Sequence, residues 1–368
     1  MKKIRVLQVV GSLRVGGLET VGMNLYRYID REKYSFDYLV YGDEIEFYEE
    51  EVVRLGGRVI HIPKPANNYF KFFLNICSVI KKEGPYDIIH SHTLFNSGIN
   101  ILAARLMNVP KRIVHSHDNL SHMKCKTSKR IYNKVMRKIL KKNATHFLAC
   151  SKDAGNYLLG EDFFSLKGKV LLNGIDIDKF EFSFQERERI REEFNISDKI
   201  VIGNVGRLED QKNHKFLIET FHSLCEQEND YILLLVGEGK NKEYLEKMII
   251  KLGLSDKVIL TGKRTDINSL MCAMDIFVFP SIHEGLGIVL IEAQANGLPC
   301  IVPAKVVPME AKITSNFKFI EKFDTSQWIE VIKLYPQRAS SQVDMNDIKR
   351  SGYALINMAK NISEIYNS

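Results

Sequence analysis

Short apolar runs separated by segments of helical periodicity recur along almost the whole chain, and this alternation constrains the fold more than any other feature. Runs of roughly four to eight aliphatic residues without polar alternation are buried on both faces, the state of parallel strands covered by helices. Strands are expected near Ile4–Val10, Phe36–Tyr41, Val59–Ile62, Ile88–Ser91, Arg112–Ser116, His146–Cys150 and Val170–Leu172. The rhythm restarts near Ile200–Val205, Tyr231–Val236, Val258–Thr261, Ile276–Pro280 and Cys300–Val302. Helices near His214–Cys225, Lys242–Leu252, Asp266–Met274 and Gly287–Asn296 separate the later strands. The fold class is therefore α/β, with two doubly wound Rossmann-like domains.

A chain of 368 residues is long enough for two such domains. Residues 1–180 form the first. The charged stretch 181–198 lacks an apolar run for a central strand and reads as a linker, and 199–340 form the second domain. A polar stretch at Gln337–Asp344 precedes a last helical segment, Asn346–Tyr366, and 341–368 are expected to return to the first domain. Open sheets of this kind bind ligands beyond the carboxyl ends of their strands, so a cleft between two facing domains is the expected place for chemistry.

Several classes fall away on composition. The six cysteines, Cys77, Cys125, Cys150, Cys225, Cys272 and Cys300, form no C-x-x-C pair, which argues against a disulfide framework and a zinc site and for a reducing compartment. The opening Val6–Val10 run is broken by Gln8 and stops at Gly11, too short for a signal-peptide core. Ile88–Ala104, the longest uncharged run, contains His90, His92, Asn96 and Asn100 and cannot span a bilayer.

Three junctions could carry chemistry. Gly16 and Gly17 follow the first strand and precede a helix, where backbone N–H groups can approach an anion; a plain βα turn uses glycine in the same way. In the second half, Arg207 lies just past a strand and Lys212 five residues on, cations suited to a diphosphate or to a solvated loop. Gly237 and Gly239 end the next strand. The sharpest string is HEGLGIVLIEAQANGLP, in which Glu284 sits in a loop and Glu292 eight residues later on a helix, about 12 Å along its axis. Amides of Gly287, Ile288 and Val289 would point at a ligand phosphate; a buried glutamate beside a solvated one is the plainer alternative.

In this order the strings resemble the retaining family-four glycosyltransferases of the GT-B fold. The family's E-x7-E motif is matched by Glu284 to Glu292, GRL-x3-KN by Gly206 to Asn213, and Gly-Gly-x-Glu by Gly16 to Glu19. NGID at Asn173–Asp176 looks like the end of the family's first domain, and the resemblance spans most of the chain. HSH at His90–His92, VHSHD at Val114–Asp118 and ACSKDAG at Ala149–Gly155 look most like enzymes of capsule, exopolysaccharide and O-antigen assembly.

The resemblance implies that Arg207 and Lys212 hold a donor diphosphate, that Glu292 holds the ribose diol and that Glu284 contacts the donor sugar. Backbone groups at Gly16, Gly17, Gly237 and Gly287 to Val289 would complete the cradle. Arg264, in the loop Gly262–Asp266, would approach the base. His117 matches the histidine facing the transferred sugar, with His115 and His92 as further candidates for that wall. Cations and helix amides stabilise charge developing on the departing diphosphate, whose oxygen can itself take the acceptor proton. Neither cofactor nor metal is then expected, and the D-x-D string at Asp176–Asp178 reads as the domain end.

The implied activity is transfer, with retention, of a hexose or N-acetylhexosamine from a nucleotide-diphosphate sugar to a lipid-linked glycan. UDP is the first choice of carrier and GDP-mannose the second. A UDP-sugar epimerase of the same fold and a silent nucleotide-sugar-binding partner subunit are the alternatives; a nicotinamide oxidoreductase would need a dinucleotide fingerprint that the first turn lacks. Residues 1–180 carry 29 Lys and Arg against 18 Asp and Glu, whereas 181–368 carry 23 against 27. Nine of the cations lie in Lys124–Lys142 with no acid among them, beside Ile131, Tyr132, Val135, Met136, Ile139 and Leu140. A basic helix with an apolar stripe fits an anionic membrane surface, and no nucleic-acid motif accompanies it. The expected setting is cytoplasmic, attached to the inner face of the cell membrane.

Overall fold

The apolar runs form strands because their β-branched and aliphatic side chains pack on both faces of a pleated sheet. In the computed structural model, which describes residues 2–14, 16–65, 68–121, 126–335 and 345–368, these strands fall into two sheets. The first contains β1 (Ile4–Gly11), β2 (Tyr34–Tyr41), β3 (Arg58–Ile62), β4 (Ile88–Ser91), β5 (Lys111–Ser116), β6 (His146–Ala149) and β7 (Gly168–Val170). Its order is β3-β2-β1-β4-β5-β6-β7. The second contains β8 (Ile200–Val205), β9 (Tyr231–Val236), β10 (Val258–Leu260), β11 (Ile276–Val278), β12 (Cys300–Pro303) and β13 (Phe317–Ile320), in the order β10-β9-β8-β11-β12-β13. All pairings among the described residues are parallel.

Each sheet is wound in both directions from its first strand. The switch points fall between β1 and β4 in one sheet and between β8 and β11 in the other. Ligand crevices of doubly wound sheets open at such points. The strings HSH and VHSHD run over the ends of β4 and β5, while GRL follows β8 and HEGLG follows β11.

The chain divides into two compact units, Met1–Gly174 with Ala354–Ser368, and Ile175–Tyr353. The division thus falls before residue 180. The stretch expected as a linker instead holds a helix, Phe184–Glu193, whose Arg187 and Arg191 are buried in the second unit. The last helical segment is two helices, Met345–Arg350 and Leu355–Asn367, broken at Gly352, where φ is +88°. Only the part from Ala354 onward belongs to the first unit. Residues 337–344 of the polar stretch lie outside the described residues.

In the second unit every residue of β9 is buried, and Ile202, Leu217, Leu235, Val278 and Trp328 belong to one apolar cluster. At roughly 1.5–3 kcal/mol per buried large aliphatic or aromatic side chain, this core fixes the strand ends that carry the site.

Candidate active site

At the switch point of the second sheet, the loop after β8 meets the loop after β11. Gln211 holds them together: its Nε2 donates to the carbonyl of His283 at 2.9 Å, and its own carbonyl accepts from the Ile282 amide at 2.9 Å. This clamp brings Lys212 to Glu284, Nζ to Oε1 at 2.6 Å, with both side chains largely buried. The ammonium also lies 4.5 Å from the centre of the Phe279 ring. Arg207 points outward, its side chain 60% exposed and only loosely paired with Glu209 at 3.4 Å. One fixed and one available cation therefore flank the same loop.

Two glycines shape the floor. Gly237 has φ +144°, and a Cβ there would lie 2.0 Å from the carbonyl oxygen of Gly206, so any side chain would push the loop after β8 away. Gly287, at φ +78°, turns the chain into the helix Ile288–Ala295. Among the described residues no side chain caps that helix. Its first turn offers amide groups and the positive end of the dipole next to Glu284. Glu292 lies on the same helix; it keeps some exposed surface, yet the surrounding protein desolvates it and pushes its pKa up to about 8 against a small opposing effect of Lys179. Arg264 is tied at 2.7 Å to both Glu193 and Asp266, so it is held by carboxylates. Ser281 Oγ and His283 Nδ1 are buried without a partner among the described residues.

The first unit carries a different kind of site. Gly16 precedes the helix Gly17–Tyr28 in extended conformation, and Glu19 Oε2 lies 2.5 Å from where a Gly16 Cβ would stand. Ser12 Oγ donates to the other oxygen of Glu19 at 2.8 Å. A phosphate at Gly16–Gly17 would therefore meet a carboxylate, and the two helix starts are chemically unlike.

Period-two spacing on β4 and β5 places His90, His92, His115 and His117 on one face, and pairing of β1 with β4 sets Gln8 opposite His90. The rings form a cluster with neighbouring centroids 3.9–5.4 Å apart, His90 and His115 stacked and the other pairs tilted. Together with Gln8 they line a cavity of about 20 Å³. Burial keeps all four neutral: the pKa of His92 falls to about 3, and those of His90, His115 and His117 lie well below the usual histidine range. Sequence reasoning found three of these rings but not His90, Gln8 or Tyr366, which complete the network. Gln8, a polar residue inside an otherwise apolar strand, was the available signal.

The basic helix spans Thr127–Asn143, and Lys124 lies outside the described residues. Lys126, just before it, and Lys129, Arg130, Lys134, Lys138 and Lys142 are exposed, whereas Arg137 is drawn inward to the carbonyls of Tyr157 and Leu158. The expected apolar stripe splits. Met136 and Leu140 pack inward, while Ile131 and Val135 stand 61% and 46% exposed among the lysines. Among the described residues no helix is long and apolar enough to cross a membrane.

Comparison with known proteins then fixes the family. Residues 15–179 match the model described as Glycosyltransferase Family 4, and residues 186–340 match Glycosyl transferases group 1. EpsF of Bacillus subtilis (strain 168), named as a glycosyltransferase, is 36% identical over 89% of this chain and 85% of its own length. The chain belongs to the family-four glycosyltransferases. An Escherichia coli relative of this glycosyltransferase, named UDP-Gal:alpha-D-GlcNAc-diphosphoundecaprenol alpha-1,3-galactosyltransferase, is 26% identical over 82% of the chain and 79% of its own length. CapH of Staphylococcus aureus, a capsular polysaccharide biosynthesis glycosyltransferase, is 25% identical over 99% of both chains. Among solved structures, Anabaena HepE in complex with UDP-glucose superposes with a TM-score of 0.80 at 18% identity, covering 99% of each chain. The glycosyltransferase thus has the two-domain GT-B fold.

Proposed function

We propose that the protein transfers a hexose or N-acetylhexosamine from a UDP-linked donor to a lipid-linked glycan in capsule, exopolysaccharide or O-antigen assembly, with retention at the anomeric carbon. The observation that carries this reading is the buried Lys212–Glu284 pair beside the uncapped start of the helix Ile288–Ala295. Arg207, Lys212 and the amides of Gly287, Ile288 and Val289 hold the diphosphate and stabilise the charge that grows on it as the glycosidic bond breaks. Gly237 lets the backbone come close. Glu292 accepts from the ribose hydroxyls, and Glu284 orients the sugar while keeping Lys212 in place. His117 faces the transferred sugar. Arg264 lies toward the base but acts chiefly as an anchor of its loop. With cations and amides in these roles the transfer needs no metal. Support for the substrate class comes from the names of the Escherichia coli and Staphylococcus aureus relatives and from UDP-glucose bound to the structural neighbour.

Calorimetry with UDP- and GDP-sugars tests the donor. Micromolar binding of one UDP-sugar, lost in Arg207→Met and weakened in Glu292→Ala, is the expected result, and no binding of any nucleotide sugar would refute it. Incubation with and without an undecaprenyl-linked acceptor then separates transfer from epimerisation.

The exposed cations of the helix Thr127–Asn143, with Ile131 and Val135 between them, support attachment to an anionic bilayer at the cytoplasmic face. A second helix, Tyr69–Glu83, adds exposed Tyr69, Phe70 and Leu74, and Tyr69 stacks on Tyr132 at 5.0 Å.

A further inference from the structure

Hydrogen-bond accounting in the histidine row leads beyond the family roles. Tyr366, on the C-terminal helix, accepts from Gln8 Nε2 at 2.9 Å, so its hydroxyl proton is left for His90 Nδ1 at 2.8 Å. His90 must then carry its own proton on Nε2 and give it to His115 Nδ1 at 3.3 Å, which leaves His115 as an Nε2–H donor. On the other arm Gln8 Oε1 can only accept, so His92 Nε2–H donates to it at 2.9 Å, and His92 Nδ1 accepts from His117 Nε2–H at 2.9 Å. His117 ends with a bare lone pair on Nδ1. Those two terminal atoms, His115 Nε2 and His117 Nδ1, are buried and have no partner among the described residues, and their rings lie 3.9 Å apart. Turning the Gln8 amide over reverses every bond of both arms. It still leaves one donor and one acceptor at the two ends.

We propose that Gln8 and Tyr366 are positioning residues that couple the four imidazoles into a single shared tautomer pattern, so that His115 and His117 present one donor and one acceptor together to a neutral sugar hydroxyl. A hydroxyl both gives and takes a hydrogen bond, and it matches such a pair in either orientation. An anion would face a lone pair. A metal ion would face an N–H, although single nitrogens of His90, His92 and His115 lie within 4.8 Å of one another. The sugar assignment rests on the proposed transfer reaction; the tautomer assignment does not.

Long-range 15N–1H correlation spectra of the full chain, labelled on histidine, read the tautomers directly. All four rings are expected neutral and in the same form at neutral pH, Nε2–H with the Gln8 amide as placed or Nδ1–H with it turned over. Tyr366→Phe keeps the packed ring but removes the hydroxyl, and should alter His90 and His115 while His92 and His117 stay fixed; Gln8→Leu should release the second arm. Mixed tautomers in the unaltered protein, an imidazolium, zinc-induced shifts with tight binding, or a Tyr366→Phe spectrum unchanged at all four rings would overturn the relay. With a working sugar substrate, Tyr366→Phe should raise its KM about three- to tenfold, the worth of one hydrogen bond, with UDP affinity unchanged. Altered tautomers with an unaltered KM would assign the pair to a trapped water and sink the sugar role. Absence of turnover with every sugar nucleotide would instead refute the transfer reading and leave the tautomer result standing.

Discussion

Glu292 is a residue on which stability and the proposed ribose binding pull apart. Burial holds its carboxyl pKa near 8, well above that of the unfolded chain. Between those two values the unfolded state has already released a proton that the folded state keeps, so stability is full in acid and falls as pH rises toward 8. Glu292→Gln removes that loss, and urea titration at pH 8 should find the variant more stable by about 1–3 kcal/mol. Accepting two ribose hydroxyls requires the carboxylate, so UDP affinity of the unaltered protein should rise with pH up to about 8 and then level off. Calorimetry in buffers of different ionisation heat should detect proton release below that point, and a pH-independent affinity would remove Glu292 from the ribose. Lys212 and Glu284 behave differently, because each is the other's compensation. Lys212→Met strands a buried carboxylate at a cost of about 3–5 kcal/mol, whereas Lys212→Met with Glu284→Leu should recover most of the stability and none of the donor binding. Thermal melts and UDP calorimetry on the three proteins distinguish these outcomes.

Elements that bury hydrocarbon were legible in the sequence, and one that buries charge was not. β8 and β9 have the bounds their sequences imply, because Tyr231–Val236 is an uninterrupted apolar run and Ile200–Val205 is interrupted only by Gly203 and Asn204. The helix Phe184–Glu193 reads FQERERIREE, a charged stretch that by sequence alone reads as a linker. Its inward face has a single aliphatic residue, Ile190, between Arg187 and Arg191, which both reach Asp275 just before β11, at 2.6 and 2.5 Å. Arg187 also donates to the carbonyls of Cys272, Ala273 and Met274, and Asp275 accepts from the Val201 amide at 2.7 Å. Periodicity of apolar residues cannot reveal an interface made of guanidinium groups and carbonyls. The short edge strand Phe317–Ile320 escaped for another reason: Lys318 interrupts it, and four residues give little pattern. At the site, motif residues could be named from the sequence. The Gln211 clamp and the Gln8–Tyr366 network could not, because they depend on partners 72 and 358 residues away. Asp275→Ala should cost about 3–5 kcal/mol by leaving two buried arginines without a counter-charge, and a urea midpoint unchanged from the parent protein would contradict this account of the helix.

At the scale of the molecule the charge is divided unevenly, net positive over residues 1–180 and net negative over 181–368, although the total is +7. Only a strongly placed asymmetry orients a protein on a charged surface, since exposed charges are screened within about 8 Å at physiological salt. Six exposed cations in and just before a single helix satisfy that condition, and at about 1 kcal/mol each near an anionic leaflet they outweigh the scattered surface pairs elsewhere. Reversing Lys129, Lys134, Lys138 and Lys142 to glutamate leaves the inward Met136 and Leu140 in place, so the fold should survive, as circular dichroism would show. Binding to vesicles rich in phosphatidylglycerol should fall at least a thousandfold, and binding of the unaltered protein should weaken steeply with added salt. Ile131→Ser with Val135→Ser tests the apolar share separately: it should lower binding while leaving the salt dependence unchanged, because the charge of the face is the same. Vesicle binding indifferent to both sets of changes would mean that this helix is merely solvated, and the acceptor would have to be met elsewhere.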